Sequence, residues 1–155
     1  VGLFTIKINK IKMKKIMQMV GLTFLLGLPT GHLFAQCNVD ALTEKALRIL
    51  PKGFTFVRSY KVDGKNGIKK QIEYTCVLSK DSNYAIRMAS KDGGVNGLKV
   101  TLFDSQRNEL ATSFVNNKLF PGWTFKCKST GIYYLSFTFQ DSQSYCGGAV
   151  MGFSR

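Results

Sequence analysis

The sequence predicts an all-β protein, an antiparallel two-sheet β-sandwich of about eight strands with one short helix at its N-terminal end. Three observations carry that expectation. From Phe54 onward apolar residues recur with a period of two, the signature of half-buried strands. The alternating stretches are short and are separated by clusters of glycine, proline, asparagine, aspartate and serine. Before Phe54, one stretch keeps helical spacing instead. Short strands with one apolar face each must press those faces together, and two sheets packed face to face are the stable solution.

The first segment reads as targeting rather than fold. Met13-Lys14-Lys15 supplies a basic start, Ile16 to Leu28 an apolar run, and Pro29 to Ala35 a helix-breaking stretch that ends in the cleavage signal Leu33-Phe34-Ala35. The expectation is a signal peptide within residues 1 to 35, with its start at Met13, and a single mature domain over residues 36 to 155. The apolar run falls short of the roughly 20 residues a spanning helix needs, so no permanent membrane span is expected. Cys37 stands where a lipoprotein carries its modified cysteine, but Gln36 before it is too large for that signal. Five of the 22 Lys and Arg and none of the 9 Asp and Glu precede Gln36, which takes the formal charge from +13 to +8 for the mature part.

The helix is expected from Asp40, a cap residue, with Glu44 in its first turn. Leu42, Ala46, Leu47 and Leu50 follow at helix spacing until Pro51 and Gly53 end it. Its expected role is to cover one end or edge of the sandwich. The strands then follow in order. Phe54 to Val62 and Ile68 to Leu78 flank Asp63-Gly64-Lys65-Asn66-Gly67, whose two turn dipeptides predict a hairpin. Tyr84 to Ala89 and Leu98 to Asp104 are joined by the loop Ser90 to Gly97. Leu110 to Val115, Trp123 to Lys128, Ile132 to Gln140 and Cys146 to Phe153 complete the set, with turns at Asn116-Asn117, Pro121-Gly122, Ser129 to Gly131 and Asp141 to Ser144.

Within this pattern, Tyr84 to Met88, Leu98 to Asp104 and Thr130-Gly131-Ile132-Tyr133-Tyr134-Leu135 resemble bacterial pre-peptidase C-terminal domains. Those domains carry a Thr-Gly-x-Tyr-Tyr-aliphatic strand start near their end. The resemblance covers about Tyr84 to Phe139 and implies a jelly-roll-like sandwich with a non-enzymatic accessory role. The opening helix and the four cysteines depart from it.

The residue inventory narrows the chemistry. The one histidine, His32, precedes the cleavage point, so a mature chain has no Ser-His-Asp site, no Cys-His site and no His-ligated metal. The cysteines show no Cys-x-x-Cys pair for zinc. Glu44, Glu73 and Glu109 fall on different elements, which gives no carboxylate pair for glycoside hydrolysis. Asp92 to Gly97 lacks the carboxylates and terminal glutamate of an EF-hand-type loop and reads as a long turn. Lys61, Lys69, Lys70, Arg87, Lys99, Lys126 and Lys128 fall mostly on outward phases, as on any solvated sheet, so nucleic acid is not an expected partner. No catalytic residue, cofactor or metal is expected. The functional expectation is an exported binding module for a protein or surface polymer. The alternative is a carbohydrate-binding module that uses Trp123, Phe103 and Tyr134, the last two of which are out of phase with the core.

Four cysteines in a small exported domain read as two disulfides. If successive strands reverse, Cys76 and Cys127 both fall at the end where the first strand begins, and Cys146 falls at the opposite end. Cys127 and Cys146 are then a whole strand apart, about 25 Å, against a limit of about 7 Å for bridged Cα atoms. A helix about 15 Å long carries Cys37 to the level of Cys146. The expected bridges are Cys76 with Cys127 and Cys37 with Cys146.

Overall fold

The computed structural model describes residues 37–93 and 96–155, so the basic start, the apolar run and the cleavage stretch lie outside the described residues. Helix α1 (Val39–Arg48) precedes β1 (Thr55–Asp63), β2 (Gln71–Leu78), β3 (Asn83–Ser90), β4 (Leu98–Phe103) and β5 (Glu109–Thr112). Next come β6 (Phe114–Val115), β7 (Lys118–Leu119), β8 (Gly122–Lys126), β9 (Gly131–Phe139) and β10 (Cys146–Ser154). Sheet A has the order β1-β10-β3-β8, sheet B the order β2-β9-β4-β5, and β6 pairs with β7 in a small separate ribbon. Every sandwich pairing is antiparallel. With the ribbon set aside, the strands run first, eighth, third, sixth in one sheet and second, seventh, fourth, fifth in the other, which is the winding of a jelly roll.

The core lies between the sheets. Tyr60, Val62, Ile86, Met88 and Met151 come from sheet A, and Leu78, Val100, Leu102, Leu135 and Phe137 from sheet B. Trp123 links the two layers, its indole N–H donating to Val100 O at 3.3 Å.

Four features depart from the sequence expectation. First, β1 and β2 do not form a hairpin. Each pairs with a strand from the far end of the chain, β10 and β9, and the Asp63-to-Gly67 turn carries the chain from one sheet to the other. Their apolar faces oppose each other across the sandwich, with the Tyr60 and Tyr74 rings 5.1 Å apart. Second, the cap of α1 is Asn38 rather than Asp40, its side chain accepting from Ala41 N at 3.1 Å. Third, the stretch Leu110 to Val115 is broken at Ser113, which is buried and uses its hydroxyl to accept from Val100 N at 2.9 Å. The chain beyond it folds into the β6–β7 ribbon, whose turn residues Asn116 and Asn117 take φ of 51° and 57°, as a two-residue hairpin turn requires.

Fourth, α1 covers the outer face of sheet A rather than an end, packing on β10, β3 and β1. Small residues make this possible. A Cβ on Gly148 would stand 2.7 Å from Thr43 N, and one on Gly152 would stand 2.9 Å from Leu50 Cδ2, so the helix and the chain after it rest on strand backbone. Sheet A is thus buried on both faces, which explains why β10 has no alternating exposure along most of its length.

Candidate functional site

The three aromatic residues singled out in the sequence do not come together. Trp123 is 8% exposed and belongs to the core, so it offers no surface for a ligand. Phe103 and Tyr134 are register partners on β4 and β9 and face outward from sheet B. One face of the Tyr134 ring is already occupied, because the Arg107 guanidinium lies over it at 3.7 Å from the centroid. Arg107 also forks onto Glu73, with Nη2 donating to Oε1 at 3.0 Å and Nη1 to Oε2. The loop that presents Arg107 is held by Asp104, whose carboxylate accepts from Asn108 Nδ2, Asn108 N and Gln106 N at 2.9, 2.9 and 2.8 Å. Those bonds, led by the Asn108 side chain, keep the Asp104 carboxyl below its usual range.

Two of the other side chains weighed in the sequence, Asp92 and Arg87, have structural partners. Asp92 accepts from Ser142 Oγ at 2.7 Å and Gln143 N at 3.1 Å, tying the β3–β4 loop to the β9–β10 loop. Arg87 donates to Ile86 O and Trp123 O at 2.8 and 2.9 Å and is no free surface cation.

A site that the sequence reading missed opens between the sheets on the side where β1 and β2 are both edges. Toward the end where β1 finishes, this slot is closed. Tyr74 donates its hydroxyl to Lys61 O at 2.5 Å, and its ring packs against Tyr60 and Phe137. Toward the end where β1 begins, the slot stays open, because the β1–β10 register shifts between Phe56 and Arg58, and Val57 bulges out. The resulting groove encloses about 590 Å³. Its floor is Tyr60, Tyr84 and Met151, at 1%, 7% and 2% exposure. Val57 and Val77, at 49% and 69%, form its rim. Arg58 and Arg155 flank it, and no Asp or Glu stands among the described residues that line it.

Two titratable groups of the groove, Tyr60 and Cys76, stay neutral near pH 7. Burial pushes the Tyr60 phenol up to about 12, with Cys76 adding to the shift and Arg58 opposing it. Burial likewise pushes the Cys76 thiol up to about 11, against the pull of Arg58. Cys76 is therefore a protonated thiol rather than an activated nucleophile. The charged side chains lining the groove are the two guanidiniums. One signal in the sequence pointed here: Arg58 is a cation on the same phase as Tyr60 and Val62, where the alternation calls for an apolar residue.

The Cys37–Cys146 bridge forms as expected, with Cα atoms 5.4 Å apart. The expected Cys76–Cys127 bridge does not, and both are free thiols. The strand directions place both at the same end of the sandwich, as reasoned, but direction fixes height and not lateral position. Cys76 lies on edge strand β2 of sheet B, while Cys127 follows β8, the far edge of sheet A. Tyr133, the register partner of Cys76, meets the Cys127 sulfur at 3.6 Å through its hydroxyl, and Cys127 donates to Ser129 O.

No family model and no curated protein matches the chain. Among solved structures it is similar to a periplasmic lysozyme inhibitor of g-type lysozyme from Aeromonas hydrophila, at 13% identity and a TM-score of 0.40, over 68% of this chain and 90% of that one. It is also similar to the pre-peptidase C-terminal domain of a collagenase from Bacillus anthracis, at 20% identity and a TM-score of 0.38, over 65% of this chain and 87% of that one. The latter belongs to the group of domains whose strand motif the sequence resembles.

Proposed function

We propose that this protein is an exported binding module, without catalysis of its own, which takes an apolar group bearing negative charge into the groove between β1 and β2. The observation that carries this reading is the pairing of an open apolar floor with two guanidiniums and no lining Asp or Glu side chain. A bound apolar group would cover Val57 and Val77, whose surfaces otherwise stand in water. Three features support a binding rather than a catalytic role. The chain has no histidine beyond His32, Cys76 is held as the thiol, and Glu73 is engaged by Arg107. The carbohydrate reading of Phe103 and Tyr134 is the weaker one, since Arg107 already stacks on the ring a sugar would use.

Anilinonaphthalene sulfonate, an apolar anion, tests this. It is expected to bind the folded protein at one site, with Arg58→Glu weakening it by about tenfold or more, as loss of a charge-assisted contact of about 1.5–3 kcal/mol implies. Binding should stay level between about pH 6 and 9, because burial outweighs the opposing pull of Arg58 and leaves Tyr60 and Cys76 neutral over that window. Equal emission from the wild type and Arg58→Glu would overturn the reading.

Export rests on the Cys37–Cys146 bridge, which persists in oxidising compartments. The bridge also occupies the sulfur that lipidation would need. The exported chain is expected to begin at Gln36, and the intact mass of protein recovered outside the cytoplasm checks this. A mass that retains the apolar run, or carries lipid on Cys37, would show the cleavage point to be wrong.

A further inference from the structure

The sandwich has four edge strands, and they differ in how they are guarded. β1 is interrupted by its bulge at Val57. β5 is four residues long and pairs with β4 through a register shift, and β8 is five residues long and ends in Lys126. β2 is different. It is eight residues long, its register with β9 is unbroken from Gln71 to Leu78, and it contains no proline, lysine or bulge. Natural sheets blunt long regular edges with those devices, and an edge that lacks them is a template for another strand. The groove lies along the second half of this edge, with Thr75, Cys76 and Val77 among its lining residues.

We infer that the occupant of the groove is an extended acidic peptide segment of a partner protein, which adds as a further strand to the free edge of β2. This rests on the groove being the binding site and names what fills it. A strand added there sends alternate side chains inward over Tyr60 and Met151 and the others outward beside Val77. Main-chain hydrogen bonds to β2 supply affinity, and Arg58 and Arg155 select carboxylates on the incoming strand. The same charges disfavour a second copy of this chain as the occupant. Two β2 edges brought together would set one copy's arginines near the other's, and β2 itself offers one carboxylate, Glu73, already paired with Arg107.

The test uses the mature oxidised protein and a terminally blocked peptide of alternating glutamate and valine. The expected result is binding that shifts the amide signals of Thr75 to Leu78 and slows their exchange. Arg58→Gln, a change at an exposed side chain, is expected to weaken it by about tenfold. The lysine-for-glutamate peptide should not bind. Two versions of the acidic peptide, N-methylated at alternate residues in opposite phases, separate strand pairing from simple filling of the groove. One phase should abolish binding and the other should leave it. If both methylated peptides bind like the parent, or decanoate binds the groove and the peptide does not, strand addition is wrong while the groove remains the binding site. If sedimentation shows a dimer that buries β2, a second copy is the occupant and the inference fails. If anilinonaphthalene sulfonate ignores Arg58, the groove itself is the wrong site.

Discussion

Replacing Cys37 by serine is expected to lower the unfolding free energy by about 4 kcal/mol. The bridge joins residues 109 apart in sequence, so its removal frees a loop that takes in nearly the whole domain. Chain entropy alone assigns about 4.7 kcal/mol to a loop of that order, and native bridges of small secreted domains typically contribute about 2–5 kcal/mol. The local structure makes the loss hard to absorb. Helix α1 has ten residues and buries Val39, Leu42 and Ala46, and an isolated helix of that length is marginal in water. Without its tether it leaves the outer face of sheet A, where Ala85, Ala89 and Val150 are now covered. Denaturant unfolding of Cys37→Ser, Cys146→Ser and the double variant measures this. The double variant should cost no more than either single one, since all three remove one bond. A loss under about 1 kcal/mol in every variant would mean that helix and sheet hold together without the bridge.

Phe137→Ala is the second large effect, expected at about 4 kcal/mol. Phe137 is 0% exposed on β9, an inner strand of sheet B, with register partners Ile72 and Val100 on either side. Its ring meets Tyr60 at 5.9 Å and Tyr74 edge-on at 6.1 Å, the two residues that close the upper part of the slot. Truncation therefore leaves a cavity and removes the support of that closure. Phe137→Leu should cost less than half as much, because most of the volume stays. The alanine variant, while folded, should also take up more anilinonaphthalene sulfonate as the groove lengthens. Equal losses for leucine and alanine would show that the ring contacts contribute little.

The periodicity that revealed the strands also carried the direction of each one. The count of reversals put Cys37 and Cys146 at one end, where they are bridged, and Cys76 and Cys127 at the other. Lateral order is a different kind of information. It depends on which strands pair, and β1 pairs with β10 and β2 with β9, contacts that no local pattern encodes. Two expectations failed for that reason, the β1–β2 hairpin and the Cys76–Cys127 bridge. The groove was hidden for the same reason, since its walls exist only because β1 and β2 are edges of opposing sheets. Phase alone sets Phe103 and Tyr134 apart from the core. What phase could not show was Arg107 arriving from a separate loop to cover Tyr134.

The place of β10 between β1 and β3 has a consequence for the time course of folding. In a chain that emerges from its N-terminal end, β1 has no sheet partner until the last strand is available, and β3 is paired on one side only. Sheet A closes in a single late event with high contact order, a topology associated with folding in milliseconds to seconds rather than microseconds. Cys37 meanwhile waits for Cys146 across 109 residues, and both Cys76 and Cys127 emerge first. Early oxidation would trap Cys37 on one of those thiols, so efficient maturation calls for disulfide exchange that continues until β10 has docked.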